Sequence, residues 1–110
     1  MTNPKRIYYE DGNIKHKAWY LNDQIHRADG PASIQYYENG NIHREAWLLN
    51  GQRHRTDGPA VIRYYKDGNI KHKAWFLNGQ KFDPTDWLYE NNITAPYTDE
   101  DKMAIKLRWT

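Results

Sequence analysis

A 28-residue unit recurs through most of this chain without a gap. Tyr8-Tyr9-Glu10-Asp11-Gly12-Asn13-Ile14 returns as Tyr36-Tyr37-Glu38-Asn39-Gly40-Asn41-Ile42 and again as Tyr64-Tyr65-Lys66-Asp67-Gly68-Asn69-Ile70. The match continues through Ala18-Trp19, Ala46-Trp47 and Ala74-Trp75, then through Leu21-Asn22, Leu49-Asn50 and Leu77-Asn78. His26-Arg27 and Asp29-Gly30-Pro31-Ala32 return as His54-Arg55 and Asp57-Gly58-Pro59-Ala60. Such a period means that each unit is one supersecondary element that buries its apolar side only against its neighbours. The units run over about 7–34, 35–62 and 63–82. The third leaves the pattern at Phe82-Asp83 and at Thr85-Asp86-Trp87-Leu88, as a terminal repeat does.

Each unit reads as two strands and two kinds of turn. Ala60-Val61-Ile62-Arg63-Tyr64-Tyr65 is β-branched and aromatic, which predicts a strand. Asp67-Gly68 predicts a tight hairpin turn with positive φ, and Ile70 to Leu77 the return strand. On that strand Ile70, His72, Ala74 and Phe76 are expected on one face, and Lys71, Lys73, Trp75 and Leu77 on the other. Asn78-Gly79 is a second turn, with Asn22-Asp23 as its counterpart in the first unit. The Pro of Asp-Gly-Pro marks the start or edge of the next strand. Trp19, Trp47 and Trp75 are expected in one row on one face.

The tail changes character. Asp83 suits an N-cap, Pro84 the first helical position and Asp86 the positive end of a helix stopping at Asn91-Asn92. Thr98 can cap a second helix, with Asp99, Glu100 and Asp101 in its first turn and Lys106 and Arg108 in its last. The predicted fold is therefore mainly β. Tandem antiparallel β-hairpins form one extended single sheet, with a short C-terminal α-helical cap over 83–110, and residues 1–110 make one domain.

Composition narrows the function classes. With no Cys among 110 residues, disulfides and thiolate metal sites are excluded. No apolar run follows Met1 and none is long enough to span a bilayer, so a cytoplasmic protein without membrane attachment is expected. A net charge of +2 is far from that of a dedicated nucleic-acid binder. The aromatic residues are mostly Tyr (9) and Trp (5), whose polar tips suit half-exposed surfaces.

The candidate chemistry is limited. His16, His26, His43, His54 and His72 offer no His-x-His or His-x₃-His pair, so no metal site and no cofactor is expected. His-Arg-x-Asp-Gly-Pro-Ala brings His26, Arg27 and Asp29, and again His54, Arg55 and Asp57, together without a hydroxyl at a shared position. A fold needs its turn in every unit, whereas an active site needs one copy. These six residues are therefore expected to be structural, with the aspartates capping the Gly-Pro turn, the arginines bridging to them and the histidines orienting them, and no enzyme is expected. Lys15, Lys17, Lys71 and Lys73 flank aromatic positions, a pattern that can bind single strands. Glu10, Asp11, Glu38 and Asp67 interrupt it.

Tyr-Tyr-x-Asp/Asn-Gly-x-Ile followed by x-Asn-Gly-x resembles the MORN-repeat-variant family over about Ile7 to Lys81. Tyr36-Tyr37-Glu38-Asn39-Gly40 and Asn50-Gly51-Gln52 carry the likeness most closely. The unit here is longer, and its linker His54-Arg55-Thr56-Asp57-Gly58-Pro59 is similar to that of repeat proteins in large viruses and bacteriophages. The resemblance implies an elongated antiparallel sheet that serves as an interaction scaffold, with an inhibitor or antitoxin-like adaptor of phage, viral or bacterial origin as its concrete form. The expected partner is another protein, met through Tyr8, Tyr36 and Tyr64 with Lys15, Lys17, Lys71 and Lys73. Nucleic-acid binding is the alternative, and either a monomer or an edge-paired dimer fits.

Overall fold

The computed structural model describes residues 3–83. Its strands are β1 (Lys5–Tyr8), β2 (Ile14–Ala18), β3 (Tyr20–Leu21), β4 (Gln24–Ile25), β5 (Ser33–Tyr36), β6 (Ile42–Ala46), β7 (Leu48–Leu49), β8 (Gln52–Arg53), β9 (Val61–Tyr64), β10 (Ile70–Leu77) and β11 (Gln80–Phe82). No helix occurs among the described residues. The expected helical cap falls on residues beyond 83 and lies outside them.

Seven strands form one antiparallel sheet in the order β1-β2-β5-β6-β9-β10-β11. Two small hairpins, β3-β4 and β7-β8, stand beside it. The long strands thus follow one another as a meander, and each short hairpin closes a unit before the linker returns the chain to the sheet. In the third unit β10 runs through Trp75 into its short hairpin with β11, whereas Trp19 and Trp47 interrupt the strand in the first two.

The two turns obey different rules. In the short hairpins Asn22 and Asp23 have φ of 51° and 64°, and Asn50 and Gly51 have 51° and 78°. Both central residues are left-handed, as a two-residue turn matched to strand twist requires. The long hairpins were expected to turn equally tightly, but five residues connect their strands. Tyr65 N–H donates to the Asn69 carbonyl and Gly68 N–H to the Tyr65 carbonyl, with Gly68 at φ 96° and no positive φ at Asp67. The Asp67 carboxylate instead accepts from the Asn69 N–H at 2.9 Å. Register then shifts between Ile70 and His72, so Ile70 does not continue the alternation expected for it. The same shift occurs at Ile7/Tyr8 and at Gln35/Tyr36.

Register places Ala18, Ser33, Ala46, Val61 and Ala74 in one row across five strands. All five are buried, and Leu48 and Phe76 pack against the last three. Ala32 and Ala60 are fully buried as well. A core dominated by alanine gains little from apolar area, at roughly 0.8 kcal/mol per buried methylene. Cohesion must come in large part from the bonds that tie each unit to the next.

Those bonds repeat with the sequence. Tyr9 Oη donates to the Tyr36 carbonyl at 2.7 Å, and Tyr37 Oη to the Tyr64 carbonyl at 2.7 Å. Asn13 Nδ2 donates to the Glu38 carbonyl, and Asn41 Nδ2 to the Lys66 carbonyl. Backbone bonds from Arg27 to Leu48 and from Gly51 to Ile25 recur as Arg55 to Phe76 and Gly79 to Arg53.

Candidate functional site

The linker motif is a clasp built twice. Arg27 Nε meets Asp29 Oδ1 at 3.0 Å and Nη1 donates to the Pro31 carbonyl at 3.2 Å. Arg55 does the same with Asp57 at 2.9 Å and Pro59 at 3.0 Å. Each guanidinium also lies over a tryptophan, with Cζ 3.9 Å from the ring centroid of Trp19 or Trp47. Each guanidinium also lies close to a glycine. A Cβ at Gly30 or Gly58 would stand 3.0 Å from the arginine Cζ. The glycine is needed here for close approach rather than for an unusual φ.

The histidines do a different job from the one expected. Among the described residues their side chains make no hydrogen bond to the aspartates, which the arginines grip. Asn50 N–H donates to His26 Nδ1 at 2.9 Å, and Asn78 N–H to His54 Nδ1 at 3.0 Å. Each linker histidine thus satisfies a backbone donor at the turn of the following unit. A groove of about 550 Å³ between the two clasps is lined by Arg27, Asp29, Trp47, His54, Arg55 and Asp57. Its polar groups are held by these contacts. Among the described residues, no group of three or more His, Cys, Asp or Glu is placed to hold a metal ion.

The expected partner-binding residues are only partly brought together. Lys17, Ile34, Glu45, Ile62 and Lys73 form one cross-strand row on the face opposite the alanines. By alternation Tyr8, Tyr36 and Tyr64 share that face. Tyr8 is 55% exposed, while Tyr36 and Tyr64 are half-buried. Tyr64 Oη donates to Glu45 Oε1 at 2.5 Å. Burial, and then the bond to and charge of Glu45, push its phenol up to about 12. Lys15 and Lys71 sit at the strand irregularities, reaching over the second tyrosine of each pair, 5.6 Å from the Tyr9 ring and 5.7 Å from the Tyr65 ring. Lys17 lies 5.4 Å from the Trp19 ring.

Trp19 and Trp47 hold equivalent places, each donating its backbone N–H to the next linker alanine, Ala32 or Ala60. Trp75, next to Ala74, occupies the same register, but the position matching Arg27 and Arg55 is Asp83, so no clasp of this kind is built there. The sequence reading missed the roles of Tyr9, Tyr37, Asn13 and Asn41. Their fixed spacing from the carbonyls they meet was the available signal. No helix among the described residues is long and apolar enough to cross a membrane. The chain matches no family model, no curated protein and no solved structure among those compared.

Proposed function

We propose that this chain is a non-catalytic scaffold that binds another protein through one broad, register-locked sheet face. One observation carries the reading. The groups richest in chemistry, His-Arg-x-Asp-Gly-Pro, are tied into the fold identically in both linkers. Tyr8 meanwhile stands exposed on the edge strand β1, all four of whose residues are exposed, and Lys73 is exposed on the same sheet face toward its other end, on β10. Tyrosine contributes large, rigid contact area at little entropic cost. The likeness to MORN-repeat variants supports an inhibitor or antitoxin-like adaptor acting in the cytoplasm. Base stacking is a weaker fit, because lysines already cover ring faces at Tyr9, Trp19 and Tyr65.

The test compares wild type with the Tyr8→Ala/Tyr36→Ala double variant as bait in a bacterial lysate, with light scattering of each protein alone. A captured protein that the variant loses, while the variant melts within a few degrees of wild type, supports the reading. A captured partner that the variant keeps would remove the tyrosine face. A tight homodimer would mean that the β1 edge is already occupied.

A further inference from the structure

The middle unit breaks its own repeat at β6. Where the first and third units read Lys15-His16-Lys17 and Lys71-His72-Lys73, it reads His43-Arg44-Glu45. Two more arginines depart nearby: Arg63 stands where the other units have Ile7 and Gln35, and Arg53 where they have Ile25 and Lys81. The fold brings these departures together. Arg44 and Arg63 are direct cross-strand partners, within the row His16-Gln35-Arg44-Arg63-His72. Arg44 lies two residues before Ala46 and so on the alanine face, where Leu48 and Phe76 pack. Arg53 pairs with Leu48 and places its Cζ 5.2 Å from the Phe76 ring.

Among the described residues no carboxylate pairs with the cluster: the ion pairs are Arg27–Asp29 and Arg55–Asp57, and none involves these three arginines. Arg44 Nε is buried and has no hydrogen-bond partner among the described residues. Burial, and then the charges of Arg53 and Arg63, lower the proton affinity of Arg44. Facing like charges destabilise a sheet, and a buried unpaired donor costs more than a typical hydrogen bond returns. Other copies fold with His at the Arg44 place, Ile or Gln at the Arg63 place and Ile or Lys at the Arg53 place, so folding does not require the arginines.

We propose that Arg44, Arg53 and Arg63 form a second interaction site that receives a carboxylate-bearing segment of a partner protein, its acidic side chain among the guanidiniums and its apolar neighbours against Leu48 and Phe76. Arginine suits planar, bidentate capture of carboxylate. Three features favour an acidic protein segment over a nucleic acid. The cations are confined to one compact patch, apolar side chains lie beside them, and the hairpin turns carry Glu10, Asp11, Glu38 and Asp67, which repel an extended polyanion. The site deepens the scaffold reading and rests on it, but it does not use the tyrosine face.

The experiment is fluorescence anisotropy on the full chain with a labelled ten-residue peptide alternating glutamate and valine. Its glutamine counterpart and a labelled oligothymidylate serve as competing probes. Arg44→His and Arg63→Gln restore residues that the other units already use, so both variants are expected to fold and to melt no lower than wild type. The expected result is saturable binding of the glutamate peptide, weakened about ten-fold or more by either variant, by the glutamine peptide and by added salt. Absence of binding at about 1 mM peptide, or binding indifferent to both variants, would overturn the site. So would tighter binding of oligothymidylate that depends on the same arginines. If the acidic peptide fails while a lysate partner is still lost on Tyr8→Ala/Tyr36→Ala, only the arginine site falls and the scaffold reading stands.

Discussion

The linkers and strand β6 belong to the same repeat yet follow opposite rules. In the linkers each polar group has a repeated partner: Arg55 meets Asp57, Pro59 and the face of Trp47, and His54 meets the Asn78 N–H, just as their counterparts do one unit earlier. In β6 the residues change between copies, and one of them, Arg44, is left with a buried nitrogen unsatisfied among the described residues. Within one chain the copies act as mutual controls. What recurs is what every unit needs in order to fold. What departs is not needed for folding, and is free to serve recognition.

That contrast can be broken by substitution. Trp47→Ala should be the most damaging change, because it removes the ring under Arg55 at a half-buried site. We expect a loss of about 3 kcal/mol, read by urea denaturation. Gly58→Ala should cost about 1–2 kcal/mol by forcing the Arg55 guanidinium out of its present position in the clasp. If Gly58→Ala were neutral, the close approach would be incidental and the clasp less rigid than the linker geometry implies.

Two smaller effects sharpen the β6 side. Burial first, and then the Arg44 charge, hold His16 below its ordinary value of 6.5, and His16 Nε2 hydrogen-bonds Ser33 Oγ at 2.8 Å. The folded chain therefore binds fewer protons at His16 than the unfolded chain does. Its contribution is present above the unfolded value and is lost as pH falls below about 6.5. Melting temperature should drop on acidification through that range, and less steeply in His16→Gln. Arg44→His should change stability least, by no more than about 0.5 kcal/mol and in the stabilising direction, measured at low salt. A clear destabilisation would place Arg44 with the linker residues, as part of what the fold needs.

The legible and illegible parts of the sequence divide along physical lines. Period, strand positions and the left-handed Asn-Gly and Asn-Asp turns follow from local chemistry, and Asn78 at φ 49° with Gly79 at 83° agrees. So does the expected bridge from Arg27 to Asp29, two residues apart. The register shift between Ile70 and His72 was not legible, because the Asp67–Asn69 bond that shapes the longer loop competes locally with the tighter turn that Asp-Gly also permits. Nor was the histidine role, since Asn50 lies 24 residues from His26 and only the stacked unit brings them together. The arginine patch is the extreme case. Arg44, Arg53 and Arg63 converge only once the strand order is known.

The exposed β1 edge and the unit-to-unit bonds also bear on how such a chain could change length. Each unit adds two long strands to the sheet, an advance of about 9.6 Å at the usual strand spacing. Each also carries both halves of every joint, donor on one side and acceptor on the other. Copying residues 35–62 in tandem would therefore insert a segment whose seams already fit. The chain behaves as a ruler with a fixed pitch, and a single in-frame duplication of its gene would lengthen it by one unit and add a second Arg44 and Arg53, with Gln35 in place of Arg63 at the new seam.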